Sequence, residues 1–379
     1  MRVAQLDEQV SLWRASQNAG EFGWEPRDRM QMISFLEGEE LLTYNEARWF
    51  EEYGANAGKV IGEWRYITFV VGGEIGNTNP PGGSTTDEWD EEYGVPIPPG
   101  FDHMPGTTPD DGLVIVDTEG NEFVWIPVVE AGIPYEKWDA EETWLEYINT
   151  QNGRLPEGVV DEQHQITKHG GFFIGRFAAG IPASETNLIN NVNGDRNPGI
   201  NSNIRPVSQR NAVPWTLIDF NNARYAAERM HMTDYVRSGL LTGTQYDVVM
   251  RWIEQAGFNV QTNSDSWGNY WNTERTIDGM PGYKTGGINE WNNATQTRAN
   301  SGMLIRTGAS SETRARNIYD LAGNTWEWTN EYATSTLNVF RGGSFYTNGD
   351  FQPAAFRNFI YAPADGASTI GFRIALFLN

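Results

Sequence analysis

The chain has 379 residues, a formal net charge of −23 and a sequence pI near 4.5, and it contains no cysteine. The length accommodates two or three domains around one large core, and the charge argues against nucleic acid or an anionic membrane as partner. Without cysteine there are no disulfides, no zinc–thiolate sites and no thiol nucleophile.

Residues 1–71 read as a small helical N-terminal subdomain. Val3, Leu6, Val10 and Trp13 recur at spacings of three and four, the apolar stripe of one amphipathic helix. Thr43-Tyr-Asn-Glu46 has the pattern of a capping box that starts another. No apolar run is long enough to span a bilayer and no signal core follows Met1, so the chain is expected to be soluble as encoded or to have lost an N-terminal anchor. From Leu6 to Val71 the sequence is weakly similar to the post-membrane part of type IV pilin-like proteins, which implies assembly into a pilus or surface structure. Residues 72–106 are rich in Gly, Pro and acids and read as a linker. The acids at Asp87-Glu-Trp-Asp-Glu-Glu92 lack the spacing and glycine of an EF-hand.

Residues 107–379 form the main domain. Leu113-Val-Ile-Val-Asp117 and Asn121-Glu-Phe-Val-Trp-Ile-Pro-Val128, separated by Glu119-Gly120, predict a hairpin, and Gly170-Gly-Phe-Phe-Ile-Gly-Arg-Phe177 predicts another strand. Helices are expected over Trp215 to Met230, with Thr216 and Asp219 as a capping pair, and over Thr242 to Gln255, with Thr242 and Gln245 in the same roles. Residues 257–316 have no clear periodicity. The histidines, His103, His164, His169 and His231, have no metal-ligand spacing, and no nucleophile elbow, Walker loop or dinucleotide fingerprint occurs.

Three motifs close the chain: Asn317-Ile-Tyr-Asp-Leu-Ala-Gly-Asn-Thr-Trp-Glu-Trp-Thr329, Arg341-Gly-Gly-Ser344 and Gly371-Phe-Arg373. The first reads as a tight turn at Gly323 and Asn324 entering a half-buried strand, the second as a strand's bend. In this order and spacing they resemble the formylglycine-generating enzyme family, and the hairpin and the strand at 170–177 resemble that family's framework. The resemblance implies an α+β, C-type lectin-like, loop-rich fold. In the family's enzyme branch a calcium ion is held around the first motif. Carried over, its ligands are the side chains of Asp320 and Glu327 and the backbone oxygens of Gly323 and Thr325, with a structural role. Hard oxygen donors suit calcium. The alternative is that Asp320 caps its loop and Glu327 pairs with Arg341 or Arg373. That branch also oxidises a client cysteine with cysteines of its own, and this chain has none, so no catalytic residue is expected.

A second branch comprises the variable proteins of diversity-generating retroelements, which display a hypermutated binding surface. Residues 345–370 fit it. They mix rigid aromatics with small polar residues, as a paratope does. They contain no Lys, Glu, Trp or Met, although the chain has 4, 31, 15 and 9 of these, and such residues are not reached by mutating the adenines of asparagine codons. The expected ligand-binding set is Phe345, Tyr346, Thr347, Asn348, Asp350, Phe351, Phe356, Asn358, Phe359, Ile360 and Tyr361, with Gln352, Pro353, Ala354, Ala355, Arg357 and Pro363 as fixed framework. Trp326, Trp328, Phe372 and Arg373 are expected to be buried. The implied function is binding of an unknown protein or surface ligand, as an adhesin or receptor-binding protein outside the cell or on its surface; a phage tail and the cytoplasm are the alternative locations. Two other functions fit the resemblance: a cysteine-independent metal oxidase using the histidines, and a purely structural pilus or surface subunit.

Overall fold

The computed structural model describes residues 90–138, 162–191, 194–278, 283–285, 291–292, 298–299, 302–334 and 337–379, all of them within the compact unit Thr86–Asn379. The helical stripe at Val3–Trp13, the capping box at Thr43 and the similarity to pilins lie outside the described residues.

Two sheets organise this unit. Their strands, in chain order, are β1 (Phe101–His103), β2 (Val114–Asp117), β3 (Glu122–Ile126), β4 (Phe172–Gly175), β5 (Val236–Leu240), β6 (Trp326–Thr334), β7 (Leu337–Arg341), β8 (Arg357–Asn358), β9 (Ile370–Phe372) and β10 (Ile374–Leu378). The helices packed on them are α1 (Glu162–His169), α2 (Phe220–Glu228) and α3 (Gly243–Gln255). The first sheet is six-stranded, in the order β1-β2-β3-β4-β10-β5, with every neighbouring pair antiparallel. The second has the order β8-β7-β6-β9, and only its β6–β9 pair is parallel.

Side chains alternate across a strand, and both faces of the large sheet are covered. Phe123, Trp125, Phe173, Ile374, Leu376 and Leu378 enter one core, together with α2, Trp215 and the second sheet. Val124, Ile126, Phe172, Ile174, Ala375 and Phe377 enter the other, together with α3 and Ile166 of α1. That double burial explains why these strands are apolar at successive positions, a pattern otherwise typical of parallel sheets.

The linker expected over 72–106 ends earlier than its composition implies. Asp90–Glu92 and Val95–Ile97 form a small hairpin, and β1 forms the edge of the large sheet. Val95, Ile97 and Phe101 are buried in its core. Three well-placed apolar residues suffice to order a segment whose average composition is that of a loop. The helix expected from Trp215 begins later, at Phe220, because Val213–Pro214 is a short strand and Trp215 is core. Asp219 is itself the cap, its carboxylate accepting from the Asn222 amide, and Thr216 has no part in it. The capping box on α3 is complete: Thr242 Oγ1 accepts from Gln245 N at 3.1 Å and Gln245 Oε1 from Thr242 N at 3.1 Å. α1 lies where the sequence indicates only a lead-in to the next strand.

Trp326, Trp328, Phe372 and Arg373 are all buried. β6 is buried on both faces over Trp326–Thr329 rather than half-buried. The Trp328 ring packs edge-on against Phe220 and Phe340, and its indole N–H donates to the Ile218 carbonyl at 3.2 Å. Trp328→Ala should therefore destabilise the domain by about 3–5 kcal/mol, the range for emptying a large aromatic from a core. Urea unfolding checks this, and a loss below about 1 kcal/mol contradicts the placement of this ring at the junction of the two sheets.

Candidate functional site

The three C-terminal motifs meet around one bend. Asn324 adopts a left-handed backbone, φ 56°, and both ends of its amide side chain are engaged: Oδ1 accepts from Asn269 Nδ2 and Ile305 N, and Nδ2 donates to Ile305 O. Gly342 and Gly343 follow β7 with φ of 97° and 74°. A Cβ at Gly343 would sit 2.5 Å from the Tyr270 ring and 2.7 Å from the Gln352 carbonyl. Only glycine satisfies both that backbone and that approach. Arg373, between β9 and β10, donates to both oxygens of Glu327 and to the carbonyls of Gly175 and Tyr319.

These contacts decide the proposed calcium ligands. Asp320 is fully buried, accepting from Thr313 Oγ1 at 2.6 Å and Gly308 N at 2.7 Å, one bond on each oxygen. Glu327 commits both oxygens to Arg373. Burial pushes both carboxyls above their ordinary range, against the pull of their hydrogen bonds and of Arg373. The side chains do not fit a calcium shell: the carboxylate oxygens that would ligate the ion already serve as the loop cap and the ion pair. Among the described residues no three His, Asp or Glu side chains converge where a metal would sit.

A second buried ionic group lies on the far side of the bend. Arg341 Nη2 contacts Asp247 Oδ1 of α3 at 2.6 Å, and its Nη1 lies 3.6 Å from Glu331 Oε2 of β6. Arg357 reaches both acids, pairing with Asp247 Oδ2 and lying 3.3 Å from Glu331 Oε1, while Lys137 lies 3.4 Å from Glu331. Glu331 also abuts Gly243 at the start of α3, where a Cβ would meet its carboxylate at 2.6 Å, and the helix dipole there favours an anion. Arg341 and Arg357 further donate to the carbonyls of Ala355 and Trp138. This group therefore clamps the C-terminal end of the 344–357 segment.

Between bend and clamp, that segment is fastened by its backbone to the loop 259–271. Trp271 N donates to Thr347 O, Gly349 N to Asp265 Oδ1, Ala354 N to Ser264 Oγ and Ala355 N to Val260 O, at 2.7–3.0 Å. Outward side chains of this segment and of the residues just after it are exposed. Tyr346 is 57% exposed, Phe351 74%, Phe359 37% and Ile360 69%. Asn348 and Asp350 are exposed as well, and Thr347 and Asn358 are half-buried. Phe345 corrects the expected set: at 2% exposure it belongs to the core and faces no ligand. Phe356 and Tyr361 are half-buried, their rings packed against Trp326 and Phe340. Of the expected framework, Pro353 and Ala354 are buried and Arg357 is in the clamp.

Phe351 stands between two clefts. One, of about 440 Å³, has Asp247 and Arg357 with Trp138, Asp350 and Phe356 in its lining. The other, of about 420 Å³, is lined by Trp271, Tyr346, Thr347, Asn348, Phe351 and Gln352. Trp271, 46% exposed, and Trp138 are contributed from outside 345–370, and the sequence does not single them out. The only available signal is Trp271 directly following the buried Tyr270 in a loop, which does not tell which of two adjacent rings faces out.

The family model of the sulfatase-modifying factor enzyme 1-like domain matches residues 140–377. The chain belongs to this family. Its fold is α+β and loop-rich, of the formylglycine-generating enzyme type with its C-type lectin-like arrangement; β1–β3 precede the matched span yet complete the large sheet. Solved structures similar to the chain include three of low identity. They are PvdO from Pseudomonas aeruginosa (19% identity, covering 72% of this chain and 100% of that one, TM-score 0.37), CarF (17%, 60% and 94%, 0.33) and Treponema denticola variable protein 1 (14%, 74% and 99%, 0.31). No curated protein matches the chain.

Of the four histidines, His103 Nε2 bonds to the Thr107 carbonyl at 2.9 Å and His231 Nε2 lies 3.1 Å from Asp117. The His164 side chain lies outside the described residues. Because Asp320 and Glu327 are satisfied within the chain, the melting temperature should be the same in millimolar calcium and in excess EDTA. A calcium-dependent rise of several degrees, as tight binding to the native state requires, contradicts the assignment of these carboxylates.

Proposed function

We propose that the protein is a non-catalytic binding scaffold whose C-terminal face, Tyr346 to Tyr361, is a diversified surface for a protein or cell-surface ligand. The observation that carries this reading is the division within one segment. Tyr346, Asn348, Asp350, Phe351, Phe359 and Ile360 are exposed, while the backbone carrying them is fixed by Gly342 and Gly343, by hydrogen bonds to 259–271 and by the Arg357 clamp. Exposed aromatics on a rigid frame supply contact area at low entropic cost. Trp271, Tyr346 and Phe351 are gathered around one cleft, and such a cluster of exposed rings marks an interaction site. The lack of Lys, Glu, Trp and Met over 345–370 is what mutation of asparagine codons at adenine leaves behind.

The non-catalytic part of the proposal rests on the chain's lack of cysteine: thiol chemistry has no nucleophile here. Activity as a histidine-ligated oxidase finds no support in the partners of His103 and His231. Placement outside the cell or on its surface, and any assembly with other copies, belong to the same proposal.

Two measurements test it. The DNA flanking the gene should contain a near-copy of the codons for 345–361 that differs at adenines, beside a reverse transcriptase; flanks without such a copy refute diversification. In addition, a library randomised at Tyr346, Asn348, Asp350, Phe351, Phe359 and Ile360 should consist mainly of folded members, because exposed side chains away from caps and cores shift stability by about 0.5 kcal/mol or less each. Randomising Phe345, Pro353, Ala354 and Arg357 instead should leave few folded members. Equal survival of the two libraries in a proteolysis screen contradicts the separation of frame from face.

A further inference from the structure

Among the described side chains, arginines of this protein cover many of its rings. Arg251 lies 5.3 Å from the centroid of Trp138, Arg316 4.2 Å from Trp252 and Arg341 4.5 Å from Tyr246, and Arg224 and Arg229 both lie over Tyr225. Trp271, Tyr346 and Phe351 have no such partner among the described side chains, although they wall one cleft of about 420 Å³ and are the open rings of the face.

The cleft is built rather than incidental. Trp271 rests against Gly302, whose φ is 77° and where a Cβ would meet the indole at 2.5 Å. Tyr346 meets Trp271 edge to face, their centroids 5.1 Å apart. The remaining lining is Thr347, Asn348 and Gln352, which are neutral. The exposed charge next to it in the chain is acidic, Asp350, which precedes Phe351 and lines the neighbouring cleft; Asp265 accepts from Gly349 N and from Asn272 Nδ2 and is accompanied by the buried guanidinium of Arg275, which donates to its carbonyl. The whole chain has 50 acidic residues against 27 Lys and Arg.

We propose that this cleft receives a cationic side chain of a protein partner, arginine in preference to lysine. The π faces attract a cation electrostatically. A planar guanidinium stacks on such rings and is less strongly hydrated than an ammonium. Asp350 and the chain's net charge of −23 add a field of the matching sign, which also speeds the approach of a basic partner. The neutral amides and the Thr347 hydroxyl offer oxygen acceptors to the guanidinium N–H groups. This assignment rests on the reading of 345–361 as a binding face and names the chemistry that one part of it recognises.

The test uses two small probes with the full chain. Nα-acetyl-arginine amide and its neutral near-isostere Nα-acetyl-citrulline amide are titrated while the indole N–H signal of Trp271, assigned by its loss in Trp271→Phe, is followed by NMR. The arginine probe should shift that signal and saturate it at a concentration about tenfold or more below the citrulline probe, the scale of a desolvated cation–π contact. Tyr346→Ala, at an exposed site, should weaken arginine binding several-fold with no change in melting temperature. Gly302→Ala, which displaces the indole, should weaken it too, and a melting curve taken in parallel separates local displacement from unfolding. Equal saturation by the two probes, shifts that miss Trp271, or stronger binding of methyl glucoside than of the arginine probe each overturn the proposal. The randomised-library result does not depend on this outcome: if the library folds as expected and the probes do not discriminate, the face stands and its preference for a cation falls.

Discussion

The guanidinium of Arg373 sits where the two sheets meet, and the domain depends on how it is satisfied. It closes on Glu327 of β6 and donates to the carbonyls of Gly175 in β4 and Tyr319. One side chain thus reaches both sheets, and the single residue between β9 and β10 carries the chain from the parallel pair of the small sheet to the large one, between β4 and β5. A charge buried this deeply needs a counter-charge and hydrogen-bond acceptors beside it. Removing one partner leaves an uncompensated ion and is strongly destabilising, by about 3–5 kcal/mol. The Gly371-Phe-Arg373 motif and the Trp326-Glu-Trp328 motif are therefore two halves of one contact: the tryptophans and Phe372 fill the core around a carboxylate and a guanidinium that hold it in register.

A second ionic group, Arg341 and Arg357 with Asp247 and Glu331, has a different role. It ties α3, β6, β7 and β8 to the end of a long irregular segment. Glycines set the other end, and hydrogen bonds from the 259–271 loop hold the middle. With the backbone fixed in this way, the segment's course does not hang on its outward side chains. A surface so organised can change its residues without changing its shape, which is the physical requirement for a scaffold that displays variety.

Much of this was legible in the sequence because the determinants are local or carried by motifs. The hairpin at 113–128, the capping box at Thr242 and the burial of Trp326, Trp328, Phe372 and Arg373 follow from alternation, from cap chemistry and from the motif set. Other features depend on long-range partners. Whether Glu327 faces a metal or an arginine depended on which guanidinium reached it, and the chain offers two within the motifs. Phe345 and Tyr346 are adjacent aromatics, one buried and one exposed, and only the bend at Gly342 and Gly343 decides between them. The strands at 90–103 are hidden by glycine and proline in the composition, and Trp271 completes the face from a loop without periodicity. Apart from that local bend, each of these is fixed by residues distant in sequence.

The central claim is that an irregular segment is held with the rigidity of a core while its outer side chains are dispensable. Native-state hydrogen exchange tests it most directly at the amides of Gly349, Ala354 and Ala355, in the parent and in a variant with Tyr346, Phe351 and Phe359 replaced by alanine. Ala354 and Ala355 should exchange with protection like that of β6 amides, through sub-global rather than local opening, and the triple variant should retain it. Exchange of these amides at the rate of a mobile loop, or loss of their protection in the variant, would contradict that claim.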